Sequence, residues 1–418
     1  MLIFTYDKES LQGDALLKRV KDIKTNNNAD VIFNQSLDDE QFQTQALSGV
    51  IKADACTFTY LNAMQLFAKC GLLYPITDFP DQIDLSREDK YGAANMLEPG
   101  MYKSVPYVVC PLYWPGFQAL DSFALVYNTE LLTPAGITNF HEFYENGTWT
   151  WDTFEEEYLK KFRVPTSDGY VDLYASGEMQ LFDMLMYSNG TEFITRTEGG
   201  FNSVNLFPTA FQNAYQKGVD WCKEYGDMFD LKDQSFYFGG FVTGDAGVTV
   251  STAEHLTVGV ITYGCNFVYN IMPFPCGPDA TYGEWAQFVQ RAQGFGLAKS
   301  SKEPEIAAAI LSLLLDPFEE LGGEAGLYDF YSEMTFHDEL DTQIFFELME
   351  YTRYDYTFWD KSTVGRNVAS SFGSAMTQGR SATEAYELYK NYLDYMVNEC
   401  MLPNFDYMYD NYYSKLDK

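Results

Sequence analysis

The residues that most often carry out catalysis are scarce and unpaired in this sequence. Its 418 residues include three histidines, His141, His255 and His337, and no two of them stand at helical spacing. A metal cluster or a Ser/His/Asp triad therefore has few side chains to draw on. The glycine run Gly294–Ser300 lacks the GxxxxGK[ST] spacing and the third glycine of GxGxxG, which favours a strand and a turn over a phosphate site. We predict no catalytic residue, no metal ligand and no cofactor.

Aromatic side chains, in contrast, are abundant. The chain has 33 Phe, 32 Tyr and 6 Trp. A tyrosine ring offers a flat apolar face that can stack under a sugar ring, together with a hydroxyl that can bond to the sugar. Most of these rings are expected to fill the core, because aromatic residues dominate core burial. The others suit a carbohydrate-binding site.

The charge balance narrows the possible partners. Against 27 Lys and Arg stand 60 Asp and Glu, giving a formal net charge of −33. Such a surface repels phosphate backbones and anionic lipids, which bind through clustered Lys and Arg, so neither nucleic acid nor a membrane surface is expected as a partner. The longest apolar stretch, Ile306–Leu315, is about half of the roughly 20 residues that cross a bilayer. No signal peptide is visible at the start, so we expect a cytosolic protein or one whose targeting segment has been removed.

The first part of the chain alternates strand-like and helix-like patterns. Strands are predicted at Ala29–Phe33 and Ala53–Phe58, and helices from Asp38 and over Leu61–Cys70. This β, α, β, α order predicts a mainly parallel sheet covered by helices. Pro-punctuated segments near 107–121 and 269–277 interrupt the pattern and are interpreted as crossings between two domains.

Later segments carry clear helix signals. Thr150 is predicted as the N-cap of a helix with an acidic first turn, and an amphipathic helix is expected between Pro208 and Gly226. The last helix opens with a capping box at Ser381. Its predicted apolar stripe is Leu388, Tyr392, Met396 and Cys400. The seven cysteines form no CxxC, and most are expected to be small buried hydrophobes. Only Cys265 and Cys276 are close enough in sequence to suggest a disulfide bridge.

Seven segments taken in order resemble the extracellular solute-binding proteins of ABC importers, specifically the maltose-binding-protein-like group. They are ADACTFTYLNAMQLFAKCGLLYPITD, YKSVPYVV, LVYNTELLTPAGI, TWTWDTF, FVTGDAGVTV, IMPFPCGP and GFGLAKSSKEPEIAAAILSLLLD, and they span residues 53 to 315. The resemblance implies an α/β, two-lobed periplasmic-binding-protein-like fold, in which each lobe is a mainly parallel sheet flanked by helices and a hinge joins the two.

The resemblance also implies where the lobes divide. The N-terminal lobe would take residues 1–115 plus 275–325, and the C-terminal lobe 120–270 plus 330–418. Crossings would lie near 107–121, 269–277 and 325–335. A ligand bound by both lobes favours the closed state and is released when the hinge opens.

The family's binding positions transfer to eleven residues. They are Phe58, Tyr60 and Asn62 at the end of the predicted strand Ala53–Phe58, Tyr113 and Trp114 in the first crossing, Glu254, and Arg353, Tyr354, Asp355, Tyr356 and Trp359 in the late region. Glu254 stands where the family usually has a tryptophan, which suggests a ligand whose hydroxyls or cationic group meet a carboxylate. Arg353 and Asp355 also fit a surface ion pair. Trp149 and Trp151 are interpreted as packing residues at a helix start.

These implications describe a monomeric, non-enzymatic protein outside the cytoplasm, lipid-anchored in its precursor, that delivers a carbohydrate, expected to be an oligosaccharide, to an ABC permease in the membrane. Two alternatives stay open. One is a binding protein for a peptide or polyamine. The other is a glycan-cleaving hydrolase with paired carboxylates, because 60 acidic residues supply many accidental pairs.

Overall fold

The structure is a computed structural model, and it describes most but not all of the chain. The described residues are 11–33, 44–45, 47–49, 53–60, 67–91, 97–111, 123–137, 139–162, 165–166, 169–170, 173–174, 178–197, 200–203, 208–226, 228–229, 241, 244, 246–252, 256, 266–284, 287–289, 291–317, 323–336, 338–350, 352–354 and 371–414.

Helices and strands alternate along these residues. The strands are β1 Ala55–Tyr60, β2 Met101–Tyr102, β3 Val105–Pro106, β4 Val108–Val109, β5 Phe123–Asn128, β6 Pro165–Thr166, β7 Gly169–Tyr170, β8 Leu173–Tyr174, β9 Ile194–Thr197, β10 Gly200–Ser203, β11 Val248–Thr252, β12 Tyr269–Met272, β13 Gln287–Val289, β14 Arg291–Leu297 and β15 Thr352–Tyr354. The α-helices are α1 Leu11–Asn27, α2 Glu88–Tyr91, α3 Thr129–Leu132, α4 Phe140–Glu145, α5 Trp151–Phe154, α6 Glu178–Ser188, α7 Thr209–Tyr225, α8 Pro304–Leu314, α9 Gly323–Met334, α10 Glu339–Glu350, α11 Ala382–Tyr395 and α12 Phe405–Met408.

The chain forms two compact units. Unit 1 contains Met1–Leu120, Gln290–Leu327 and Met396–Lys418, and unit 2 contains Asp121–Val289 and Tyr328–Tyr395. Both units hold helices and strands. The α/β class predicted from the sequence is therefore confirmed.

Two stretches belong to a different unit from the one predicted. Residues 275–289 lie in unit 2, where β13 pairs with β15. The predicted crossing at 269–277 also lies inside unit 2, where β12 pairs with β5. Residues 396–418 lie in unit 1. There the side-chain carbonyl of Asn404 accepts a hydrogen bond from the Ser104 N–H at 2.9 Å, and its amide donates to the Met101 carbonyl.

Strand direction also differs from the prediction of mainly parallel sheets. Of the nine described pairings, seven are antiparallel, and only β11 with β8 and β13 with β15 run parallel. In unit 1 the sheet order is β1, β14, β4. A long stretch of chain separates β1 from β14, so no compact β-α-β crossover joins them. The rule that such a crossover makes two neighbouring strands parallel therefore does not apply to this pair.

The segment after α1 is a further correction. Residues 28–33 form neither helix nor strand, although Ala29–Phe33 was predicted as a strand. Asn28 takes a positive φ of 53° at the end of α1, and the Ile32 side chain is 80% exposed. A short β-rich run needs a neighbouring strand for its hydrogen bonds, and this run pairs with none of the described strands.

Unit 2 is built around a four-stranded sheet in the order β12, β5, β11, β8. All six residues of the central strand β5 are buried. One aromatic cluster beside it contains Phe140, Trp149, Phe154 and Tyr158, with Phe154 and Tyr158 stacked at 5.2 Å. A second contains Phe182, Phe193, Phe211 and Phe372, and Phe182 stacks on Phe372 at 5.7 Å.

The helix signals near these clusters are confirmed. Thr150 is the N-cap of α5, and its hydroxyl accepts a hydrogen bond from the Thr153 N–H. Helix α7 begins after Pro208 and ends before Gly226. The predicted stripe of the last helix is wrong at Leu388, which is 74% exposed, while Met396 is buried as predicted. Tyr386 and Leu393 of α11 are buried as well.

Cys56, Cys70, Cys110 and Cys276 form no disulfide. Cys56, Cys110 and Cys276 are buried, as predicted, whereas Cys70 is exposed. Burial raises the pKa of Cys56 to about 11 and that of Cys110 to about 12. These thiols therefore stay protonated and unreactive at neutral pH.

Candidate functional site

The first group of predicted binding residues lies at the end of β1 in unit 1. Phe58 is 2% exposed, and its ring packs edge-on against Phe67 at 5.0 Å. This ring fills the core, so we leave Phe58 out of the candidate site. Between Phe58 and Tyr60 the pairing with β14 shifts, because Phe58 faces Gly294 and Tyr60 faces Arg291. Such an irregularity interrupts the regular pairing of a strand with its neighbour.

The second group lies on β15 in unit 2. Arg353 pairs with Phe288, and Tyr354 pairs with Val289, in the parallel ladder between β15 and β13. The backbone pairing thus places both predicted residues on the strand that borders β13.

The remaining predicted residues lie outside the described part of the chain. They are Asn62, Tyr113, Trp114, Glu254, Asp355, Tyr356 and Trp359.

One stretch of chain carries pairing partners from both groups. Val289 ends β13 in unit 2, Arg291 begins β14 in unit 1, and only Gln290 stands between them. Val289 pairs with Tyr354, and Arg291 pairs with Tyr60. Tyr60 of unit 1 and Tyr354 of unit 2 thus each pair, through their backbones, with a residue adjacent to Gln290.

Unit 2 also contains a buried polar cluster that the sequence did not reveal. The His141 Nε2 lies 3.0 Å from Asp341 Oδ1, which also accepts a hydrogen bond from the Ile271 N–H at 2.7 Å. Asn270 and Asp338 lie near the other ring nitrogen, Nδ1, at 3.4 Å and 3.8 Å. His141 and Asp341 are buried, so this cluster joins α4 and α10 to β12 instead of forming an accessible site.

The titration of this cluster follows from its burial and its charges. Burial lowers the pKa of His141, but the hydrogen bond and charge of Asp341, together with Asp338, outweigh it, so the pKa is raised overall. Burial also raises the pKa of Asp341, against the opposing effect of His141. Both shifts mean that the folded state holds protons more tightly than the unfolded chain does.

The described residues contain neither a membrane-spanning helix nor a cluster of metal-ligating side chains. None of the described helices is long and apolar enough to span a bilayer. Within the same described segments, no group of three or more His, Cys, Asp or Glu side chains is arranged to hold a metal ion.

Comparison with known families identifies the class of protein. A model of the family described as bacterial extracellular solute-binding protein matches residues 9–317. Since the match covers well over half of the chain, the protein belongs to this family. No curated protein matches the chain at a significant level.

Solved structures with the same fold match nearly the whole chain. A cyclo/maltodextrin-binding protein complexed with maltotetraose has a TM-score of 0.64 at 14% identity, over 94% of this chain and 96% of that one. UgpB from Mycobacterium tuberculosis in complex with glycerophosphocholine has a TM-score of 0.66 at 15% identity, over 91% and 94%. CpMnBP1 with mannobiose bound has a TM-score of 0.64 at 14% identity, over 93% and 98%. At such identities the likeness establishes the fold.

Proposed function

We propose that this protein is the substrate-binding component of an ABC importer and that it captures a carbohydrate, most simply an oligosaccharide, without altering it. The observation that carries the proposal is the family match over residues 9–317. Neighbours of the same fold, aligned over more than nine-tenths of both chains, hold maltotetraose and mannobiose. The protein acts outside the cytoplasm as a monomer, anchored by a lipid in its precursor, and hands its ligand to a membrane permease.

Capture depends on a hinge between the two units. The succession of β13, Gln290 and β14 supports this assignment, because a strand in each unit ends or begins at the boundary. A few residues at the end of an element absorb the dihedral changes of a domain closure. A ligand that contacts both units then favours the closed state by its differential affinity for that state.

Ligand contacts come from rings and polar groups on both units. Tyr60 and Tyr354 are favoured because their strand partners flank the boundary at Gln290. Trp114 supplies the main stacking face, and Arg353 with Glu254 bonds to hydroxyls. Asn62, Tyr113, Asp355, Tyr356 and Trp359 complete the proposed set.

A titration of the purified protein with a ligand panel tests this function. The panel contains maltotetraose, mannobiose, glycerophosphocholine and spermidine, each followed by isothermal titration calorimetry. We expect saturable one-to-one binding of a neutral oligosaccharide. A response to spermidine alone that persists in the double variant Asp152→Asn, Asp220→Asn, in which two exposed carboxylates of unit 2 are neutralised, would instead favour the polyamine alternative.

The same samples test the hydrolase alternative. After incubation with each oligosaccharide, the released reducing ends are measured. A binding protein returns the sugar intact, so no increase over a protein-free control is expected. Reducing ends that accumulate in proportion to protein concentration would overturn the assignment.

A non-sugar ligand is the second candidate. One solved structure of the same fold holds glycerophosphocholine, and its TM-score of 0.66 is as high as those of the sugar-bound neighbours. This similarity favours the non-sugar candidate. Glu254 also suits a cationic group such as choline. In the titration above, tight binding of glycerophosphocholine with no response to either sugar would support this candidate.

A further inference from the structure

A pocket of about 400 Å³ opens on unit 2 and shares no lining residue with the eleven candidate binding residues. Its volume lies within the range of small-ligand sites, about 300 to 1,000 Å³. Three segments form its walls: the start of α5, one face of α7 and the loop at Cys276–Pro278.

The α7 wall is polar and continuous. Asn213, Gln216, Lys217 and Asp220 line the pocket from positions three, four and seven residues apart, which share one face of a helix. The Asn213 side-chain amide donates to Asp279 Oδ2 at 2.7 Å, and that of Gln216 donates to Asp220 Oδ1 at 2.9 Å. The amide carbonyls and the second Asp220 oxygen receive no hydrogen bond from another described residue, so they are free to accept one from a ligand.

The loop wall is held rigidly by Asn189. Its side-chain amide donates to the Ala210 carbonyl at 2.7 Å and to Asp279 Oδ2 at 2.8 Å, while its carbonyl accepts from the Asp279 N–H at 3.0 Å. Gly277 packs so closely here that an added Cβ would lie 2.2 Å from the Asn189 Oδ1 and 2.7 Å from the Trp151 ring. These contacts fix the position of the loop relative to Asn189 and Trp151.

The charged side chains in and beside the pocket carry more negative than positive charge. The Lys217 ammonium donates to Glu155 Oε2 at 2.5 Å, and this carboxylate also accepts from the Trp221 indole and the Tyr225 hydroxyl. Glu155 thus balances the charge of Lys217. The Asp152 side chain is 93% exposed and 3.7 Å from Lys217. Asp152 and Asp220 are left as net negative charge at the pocket.

We propose that this pocket binds a small, free organic cation with N–H donors, that is, a compound with a primary ammonium or guanidinium group. Asp152 and Asp220 supply the attraction, and the carbonyls of Asn213 and Gln216 accept the remaining N–H groups. Pro278 lies against the alkyl part of the ligand. The lining of this pocket includes none of the residues proposed to contact the carbohydrate, and the proposal does not depend on the carbohydrate function.

Calorimetric titration of the whole protein with spermidine and with argininamide, at low ionic strength, tests the site. We expect saturable binding of at least one of them that weakens as salt is added, since salt screens the attraction. In the double variant Asp152→Asn, Asp220→Asn the affinity should fall by at least tenfold. Both side chains reach solvent, so the fold is retained, and an unchanged unfolding temperature verifies this.

A matched control separates a site from bulk attraction. The double variant Glu142→Gln, Glu145→Gln removes the same charge from exposed positions on α4 and should leave the affinity unchanged. Equal losses in both double variants, undiminished binding in the pocket variant, or no binding to the wild type would each overturn the proposal. Tighter binding of an arginine-containing tripeptide amide than of argininamide would assign the pocket to a peptide and overturn the free cation. Titration with oligosaccharides tests the carbohydrate function independently.

Discussion

The described parts of units 1 and 2 differ in their sheets and in the packing of their aromatic side chains. In the described part of unit 1, a three-stranded sheet is completed by the returning strand β14 and shifts register beside Tyr60. In unit 2, a four-stranded sheet lies among two aromatic clusters and a buried His141–Asp341 pair. Many of the rings that suggested sugar binding are therefore packing residues of unit 2. The number of rings in the sequence therefore does not locate a ligand site.

The largest expected effect is the loss of a ring from the core of unit 2. Trp149 is buried, stacks near Phe143 and contacts Phe140, and its indole donates to the Pro273 carbonyl. Trp149→Ala should therefore destabilise the fold by about 3 to 5 kcal/mol. Denaturant unfolding followed by circular dichroism measures this. A loss below about 1 kcal/mol would contradict the packing role.

The next prediction contrasts two aromatic residues proposed from the same family resemblance. Trp114→Ala should weaken oligosaccharide binding by about 1 to 3 kcal/mol with little change in stability, as expected for a stacking residue. Phe58→Ala should do the reverse, lowering stability through a core cavity. Calorimetry measures the binding affinity and thermal unfolding measures the stability of both variants. An unchanged dissociation constant in Trp114→Ala would remove Trp114 from the site.

A smaller effect comes from the buried pair of unit 2. His141 and Asp341 both have pKa values raised in the folded state. The contribution of His141 is complete below its unfolded pKa of about 6.5 and is lost as the pH rises through its folded pKa. The free energy of unfolding should thus fall with rising pH, by at most about 1.4 kcal/mol per pH unit for each proton.

His141→Asn tests that slope, because it keeps a polar side chain and removes the titration. Urea unfolding at several pH values between 6 and 9 should give a flatter profile than the wild type gives. The matched control is Glu142→Gln on the exposed side of the same helix, which should leave the slope in place. Identical slopes in His141→Asn and the wild type would exclude this role for the pair.

The smallest expected effect comes from the N-cap of α5, the helix whose first turn lines the pocket of unit 2. Thr150→Ala removes the side chain that accepts the Thr153 N–H and should cost about 1 kcal/mol. Thr150→Ser retains the hydroxyl and should preserve most of the stability. Equal losses in the two variants would show that the methyl group, and not the cap, is what matters.

Local signals predicted much of the fold. Thr150, Pro208 and Gly226 mark helix ends in the structure as they do in the sequence, because capping and proline geometry act over a few residues. The stripe through Leu388 was misplaced because α11 carries two apolar faces, and helical spacing alone does not decide which one is covered. The assignment of 396–418 failed because it depends on contacts such as Asn404 with Ser104, far apart in the chain.

The candidate site was harder to predict than the fold. Phe58 was chosen as a rim residue because strand position does not reveal which face is buried, and the shift of register before Tyr60 has no sequence signature. His141 and Asp341 are 200 residues apart and belong to different helices. No local pattern could have paired them. Residues brought together by returning strands are visible only in the folded chain.

The central claim is that the two units close around an oligosaccharide. Small-angle X-ray scattering of the protein, with and without saturating concentrations of each sugar in the panel, tests it most directly. We predict that the sugar which binds in calorimetry also reduces the radius of gyration, while a sugar that does not bind leaves it unchanged. Saturable binding with no change in the scattering curve would contradict closure, and no binding of any sugar would contradict carbohydrate capture.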